Sequence, residues 1–343
     1  MNEERIKSFK NNILAIGRLL WEKELVSGLN GNLSLRVDPE TILLTAHNTC
    51  LGLLQEEDVL ALQLDGQLLE KGEISTENLL HTEIYKNFSN VQAVIHTHTP
   101  YTNAFFLQNE KLVPQIFESK FYLGQVEAVE QFTPSVTDAQ PVVAALKKNN
   151  IVVLRKHGVV AMGEDLFDCF LLIQALEDAV KVDAISRLYK EDKPSKKLNS
   201  PALGKKRSSK KQSAGSEKRK YALFSQEQIN TIVRLVNADP QLKDLGEKTK
   251  MNMDLAVKLN DTGQIYSFRF ENGRITKVGH DENAEFLVSA PANIWRAVFN
   301  REIDPFVATT QKKMYLRGDF AKISKWYAPC SRVFELWQET PVE

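Results

Sequence analysis

Residues 91–99 read VQAVIHTHT, an apolar run that ends on two histidines spaced two apart. Val91 to Ile95 has the β-branched pattern of a buried strand. Side chains alternate across a strand, so His96 and His98 leave it on the same face. Residues 150–158, NIVVLRKHG, repeat the theme: Ile151 to Leu154 is a second buried strand, and His157 follows it just before Gly158. Three of the six histidines therefore stand at strand exits. A pair at that spacing can give two ligands to one ion. Three neutral imidazoles suit zinc or another first-row divalent ion, with Mn2+ as the alternative. A lone histidine at such a place is more simply a hydrogen-bonded one; the recurrence is what favours a metal centre made by His96, His98 and His157.

Outward from these strands, the first half of the chain alternates helical and extended segments. Residues 4–25 carry apolar side chains at helical spacing and end at Gly28. Asn32 to Val37 and Thr41 to Thr45 read as strands, Thr76 to Phe88 as a helix, and Leu166 to Lys190 as a long amphipathic helix. This is an α/β pattern in three layers without a regular βαβ rhythm. Glu77 and His81 share one face of the second helix. Glu77 is expected in its first turn, where a carboxylate complements the helix dipole. Ordinary capping explains Glu77 from spacing alone; an acid/base or an additional metal ligand is the functional alternative. Ser75 and Thr76 at the same helix start suit either capping or a bound phosphate.

The chain has 343 residues, enough for about two domains. Its 43% hydrophobic and 26% charged content excludes a wholly disordered chain. No stretch approaches the roughly 20 apolar residues of a membrane span, and the charged start MNEERIKSFK is no signal peptide. Cys50, Cys169 and Cys330 are too few and scattered for a disulfide framework, which fits a cytoplasmic setting. The net charge of zero hides a segregation. Residues 1–189 hold 16 basic against 25 acidic residues, 190–220 hold 12 against 3, and 221–343 hold 16 of each. The middle piece, rich in Lys, Ser, Gly and Pro, cannot bury enough surface to offset its ordering, so 191–220 is expected to be a basic flexible linker between domains at 1–190 and 221–343. With no aromatics interleaved among its basic residues, nucleic acid is not an expected partner.

The second domain opens with a helix at Ser225 to Val236, followed by strands at Met253–Leu259, Ile265–Phe270, Ile275–Gly279 and Ala284–Ser289. Asn272-Gly273 between two of them is a hairpin signal. A helix at Pro291 to Phe299, a strand at Lys313 to Arg317 and a helix at Phe320 to Trp337 complete an α+β unit.

The segments GNLSLR, ISTENLLHTEIY, VIHTHTPY and RKHGVVAMG, in this order, resemble the class II aldolase/adducin family over about residues 5–190. The resemblance implies a zinc-type site at His96, His98 and His157, with Glu77 beside it as the acid/base. It implies that Gly31, Asn32, Thr45, Ser75 and Thr76 bind a substrate phosphate, and that the protein is a homotetramer with sites between subunits. The implied activity is that of a metal-dependent lyase, by retro-aldol cleavage or decarboxylation, on a sugar phosphate or keto-acid phosphate. A non-catalytic scaffold of the adducin kind, or a lipid-binding protein assembled by the first domain, is the alternative. Two departures bear on the substrate. The family's Thr-Pro-Ser/Thr-Gly phosphate loop is here Thr45-Ala46-His47-Asn48, continuing to Leu51-Gly52 as in the family's keto-acid-phosphate decarboxylases. A tyrosine that many aldolases lend to a neighbouring subunit aligns near Phe117-Glu118.

ENGRITKVG, PANIWRAVFNREIDP and KKMYLRGDFAKISKWY resemble the sterol carrier protein 2-like fold over about residues 225–338. That resemblance implies a lipid or acyl ligand in an apolar tunnel, which Phe268, Phe270, Phe286, Trp295, Phe299 and Trp326 would line; filling an ordinary core is their other reading. Limited trypsin digestion should cut first among Lys196 to Lys220 and release two stable fragments. Early cuts inside either half, with that segment intact, would contradict a tether.

Overall fold

The computed structural model describes residues 3–191 and 220–343. The expected linker, apart from Glu191 and Lys220, lies outside the described residues. The chain divides into two compact units: one runs to Ala184 and includes Phe306–Lys312, the other comprises Ile185–Pro305 and Lys313–Glu343.

The first unit contains α1 (Glu3–Glu22), β1 (Asn32–Asp38), β2 (Thr41–Thr45), β3 (Val59–Gln63), α2 (Asn78–Asn87), β4 (Ala93–Thr97), α3 (Pro100–Phe106), β5 (Lys111–Leu112), α4 (Phe117–Leu123), β6 (Val126–Glu130), α5 (Gln140–Leu146), β7 (Ile151–Arg155), β8 (Gly158–Gly163) and the start of α6 (Leu166–Glu191). Its strands form one sheet in the order β3-β2-β1-β4-β8-β7-β6-β5. Only β6 and β7 run parallel; the other pairs are antiparallel.

The apolar runs that read as buried strands are covered on both faces. Leu43, Ala93, Ile95, Ile151, Val153, Val159 and Ala161 enter one core with Ile13, Ile16 and Leu20 of α1 and Leu166, Ile173 and Leu176 of α6. Their neighbours of opposite parity, Ile42, Leu44, Val94, Val152, Leu154, Val160 and Met162, enter a second core with Leu80 and Ile84 of α2 and Val142 and Leu146 of α5. The period-two alternation thus distributes each strand between two helical layers, which is the expected three-layer α/β arrangement. Arg36 of β1 is buried and donates to the carbonyls of Val91 at 3.0 Å, Pro39 at 2.9 Å and Tyr85 at 2.6 Å. Those bonds tie the end of α2 to the start of β4. Losing them would leave carbonyls unpaired at about 1–3 kcal/mol each.

The second unit contains α7 (Gln226–Ala238), α8 (Pro240–Thr249), β9 (Asn252–Leu259), β10 (Ile265–Glu271), β11 (Arg274–Gly279), β12 (Phe286–Ala290), α9 (Ala292–Phe299), β13 (Tyr315–Arg317), α11 (Phe320–Lys325) and α12 (Tyr327–Trp337), while α10 (Pro305–Thr310) falls, apart from Pro305, in the first. The sheet order is β11-β10-β9-β12-β13, with β9 and β12 parallel. At the β10–β11 hairpin Asn272 and Gly273 have φ of +49° and +81°, the positive pair that a tight hairpin turn requires. The helix expected from Phe320 to Trp337 is in fact two. Trp326 leaves helical geometry at φ −101° and ψ 18°, and Pro329 fits the first turn of α12 but would clash with a carbonyl one turn back in a continuous helix. Among the six aromatics named above, Phe268 packs on Trp337, Trp295 on Phe224 and Phe299, and Phe286 on Trp326. They build a core. No helix among the described residues is long and apolar enough to cross a membrane.

Candidate metal centre

The parity of β4 decides where its histidines go. Val94 faces the α2 side of the sheet, so His96 and His98, two and four positions on, continue that face. His157 arrives from the turn between β7 and β8, where Lys156 takes φ +65° and the His157 N–H donates to Leu154 O at 3.0 Å. The three Nε2 atoms converge: His96 Nε2 lies 2.9 Å from that of His98 and 3.0 Å from that of His157.

Backbone groups aim the rings. His96 Nδ1–H donates to Val159 O at 3.0 Å, which leaves the Nε2 lone pair for the centre. Asn103 of α3 donates its amide to His157 O at 3.1 Å. Gly158 lets the two strand ends meet, since a Cβ there would lie 2.3 Å from Thr97 O and 2.9 Å from both the His96 and His98 rings. Burial pushes the pKa of His98 down to about 4 and lowers those of His96 and His157; neighbouring imidazoles add to the depression at His96 and His98. Neutral rings therefore turn their Nε2 edges towards one point, an arrangement that suits a divalent cation with nitrogen ligands.

Glu77 stands beside the triad, with Oε1 3.6 Å from His157 Nε2. The expected first-turn position is corrected: Glu77 is the residue before α2, with φ −89° and ψ 13°, and its side chain makes no capping bond. Ser75 takes the local role instead, its Oγ accepting from Glu77 N–H at 3.3 Å and its carbonyl from Asn78 N–H at 3.0 Å. The carboxylate is thereby turned inward. It is 4% exposed and accepts from the Val136 N–H at 3.1 and 3.3 Å. Desolvation raises its pKa, and the Val136 hydrogen bond opposes that rise. Val136 carried no signal in the sequence, because it contributes only a backbone amide from a loop 59 residues away.

The candidate phosphate ligands occupy neighbouring strand ends. Asn32 pairs across the sheet with His96, directly after Gly31. Thr45 ends β2 and is fully buried, its Oγ1 accepting from Leu33 N–H at 3.2 Å. Ala46 bridges to Ile74, which brings Ser75 to the same edge. Ser75 is buried and Thr76 exposed. Asn48, which stands where the resembled family's loop has glycine, takes φ +57° itself; asparagine is among the side chains that tolerate this region.

Comparison with known proteins places these features. The family model for the class II aldolase and adducin N-terminal domain matches residues 11–184, and that for the SCP-2 sterol transfer family matches 229–329. An L-fuculose phosphate aldolase of Methanocaldococcus jannaschii is 30% identical over 183 residues, covering 53% of this chain and 99% of that protein. A 3-oxo-tetronate 4-phosphate decarboxylase of Haemophilus influenzae is 27% identical, covering 50% of this chain and 85% of that one. The crystal structure of L-fuculose-1-phosphate aldolase from Thermus thermophilus superposes with a TM-score of 0.51 at 26% identity, over 56% of this chain and 99% of that one.

Protein reconstituted with zinc or manganese should carry one divalent ion per chain by elemental analysis. Gly158→Ala, which forces the strand ends apart, should lose most of that metal. Wild-type protein that takes up no metal would exclude the centre.

Proposed function

Through residues 11–184 this chain belongs to the class II aldolase and adducin family, and from that premise we propose that it is a metal-dependent lyase. Its substrate is a small phosphorylated hydroxy-carbonyl compound, a sugar phosphate or keto-acid phosphate, cleaved by retro-aldol reaction or decarboxylation. The observation that carries this reading is the meeting of three neutral imidazoles with the inward-turned carboxylate of Glu77. Zinc is the preferred ion, with Mn2+ the alternative. When bound by His96, His98 and His157, such an ion supplies a Lewis acid for the substrate's carbonyl and hydroxyl oxygens.

The chain's own residues do the rest. Glu77 moves the proton to or from the carbon beside the cleaved bond. Its raised pKa suits a group that must both take and release a proton, and the Val136 amide keeps the carboxylate from rotating away. Asn32, the backbone at Gly31, Thr45, Ser75 and Thr76 hold the phosphate at the far end, so that the reacting carbon stays next to Glu77. Glu77→Gln should keep the fold and most of the metal but lower turnover by roughly 10²–10⁴-fold. A Gln variant with unimpaired turnover on an identified substrate would return Glu77 to a purely structural role.

We also read the first unit as the builder of a homotetramer, with sites completed between subunits. Support comes from Val113 and Ile116, in the loop before α4, and Phe117, its first residue, which are 47%, 48% and 75% exposed. Light scattering of the whole protein should give about four times the chain mass, and a clean monomer with full activity would contradict this. For the second unit, the SCP-2 match supports a lipid or acyl ligand, which would have to part the packed rings of Phe224, Trp295 and Phe299 or bind outside them.

A further inference from the structure

His81 is fully buried on α2, one turn after Glu77, and is not among the converging imidazoles. Both of its nitrogens are nevertheless engaged. Its Nδ1 lies 2.6 Å from Ser34 Oγ and its Nε2 lies 2.7 Å from Asn32 Oδ1. Ser34 Oγ is in turn 3.0 Å from the Tyr85 hydroxyl, which also donates to Ser34 O at 3.0 Å. Tyr85, Ser34, His81 and Asn32 thus form one buried chain of hydrogen bonds from α2 through β1 to the edge of the candidate site.

The direction of that chain follows from proton counting. Burial pushes the pKa of His81 down to about 3, so the ring carries a single proton. With Ser34 donating to Nδ1, that proton sits on Nε2 and is donated to the Asn32 carbonyl oxygen. An amide whose oxygen faces the helix must turn its NH2 group the other way. Among the described residues that NH2 makes no hydrogen bond, and it is not one of the sealed, unpartnered polar atoms. Asn32 pairs with His96 in the sheet, so the free donor stands next to the imidazole triad.

We propose that His81 is a positioning residue, which with Ser34 fixes the Asn32 carboxamide so that its NH2 group, and not its oxygen, faces the anionic group of the substrate. The inference rests on the reading of Asn32 as an anion ligand and deepens it. If Ser34 could not donate, the imidazole would be free to move its proton to Nδ1. Asn32 would then rotate to give its NH2 to the bare Nε2 and turn its oxygen towards the anion. An attraction would become a repulsion without any change in the residues that touch the ligand.

The test uses the full, metal-loaded protein with inorganic phosphate as the probe, binding read by calorimetry and metal by elemental analysis. Asn32→Ala, Ser34→Ala and His81→Phe should each weaken phosphate binding about tenfold or more, with metal content near wild type and the loss of buried hydrogen bonds lowering the melting temperature in each. His81→Gln, which can still donate to Asn32, should bind within a few-fold of wild type. If Asn32→Ala weakens binding while Ser34→Ala and His81→Phe do not, the positioning role is wrong and the anion site stands. If His81→Gln loses as much as His81→Phe, ring volume rather than the donated bond matters, and the inference also falls. If His81→Phe does not fold, Ser34→Ala alone decides. If Asn32→Ala binds phosphate normally, the anion-site reading fails and takes the inference with it.

Discussion

Three imidazoles whose ligand nitrogens all lie within 4.8 Å of one another, in a place where burial disfavours their charged forms, are the constraint around which the rest of the first unit is organised. The strand ends and turns hold the rings in place. Val159 O fixes His96, the turn at Lys156 delivers His157, and the missing Cβ at Gly158 lets β4 and β8 close on each other. Further out, Glu177 of α6, 1% exposed, accepts from the N–H groups of Tyr101 and Thr102 at 3.1 and 2.9 Å and from the Thr102 hydroxyl at 2.7 Å. A buried carboxylate without donors would be costly; here it secures the first turn of α3, the helix whose Asn103 holds His157. An interior arranged this way gains from a bound cation what it loses by gathering the lone pairs.

The two-faced sheet explains why the site lies at one end of the molecule's first unit and on one side of it. Each central strand divides its side chains between an α1/α6 core and an α2/α5 core. Where the strands end, the alternation continues but the hydrophobic partners do not, so polar side chains take the places that apolar ones fill lower down. His96 follows Val94 in the α2-side row, and Asn32 is its partner across the ladder. Glu77 precedes the helix that covers this same face. Placement of the Glu77 carboxylate beside the triad is therefore a consequence of sheet parity and of where α2 begins.

The histidine triad was legible in the sequence because its signal is local: a strand, then a histidine with a fixed phase. Strands with continuous apolar runs were legible for the same reason, as were the long helices. What the sequence did not disclose is what long-range pairing creates. β3, β5, β6, α4 and α5 are short and weakly patterned, and they exist by completing the sheet or covering its second face. Glu77 looked like a helix cap because an acidic residue near Ser75 and Thr76 has the composition of one; only the backbone shows that Ser75 takes that part. His81 had the right phase to join Glu77, yet its partners Ser34 and Asn32 lie 47 and 49 residues away. Pro329 was a readable breaker of the last helix that the apolar spacing outweighed.

The loop after β2 shows how a departure in sequence can leave a shape in place. Residues 45–52 carry Asn48 where the family's loop has glycine, which by itself would be expected to cost a backbone conformation. The backbone at this point, however, is held from both ends. Ala46 bridges to Ile74 on one side, and the Thr49 hydroxyl donates to Ala46 O at 2.9 Å. On the other side Leu51 is buried against α1, where a Cβ on Gly17 would lie 2.7 Å from Leu51 O and one on Gly52 would lie 2.4 Å from the Trp21 ring. The glycines that matter for close approach are thus at positions 17 and 52, in the packing of loop on helix. With those contacts fixing the path, the left-handed residue between them needs only to tolerate φ +57°, which asparagine does at modest cost. Asparagine also brings an amide that glycine lacks, so the same turn can be kept while the chemistry at its tip is changed.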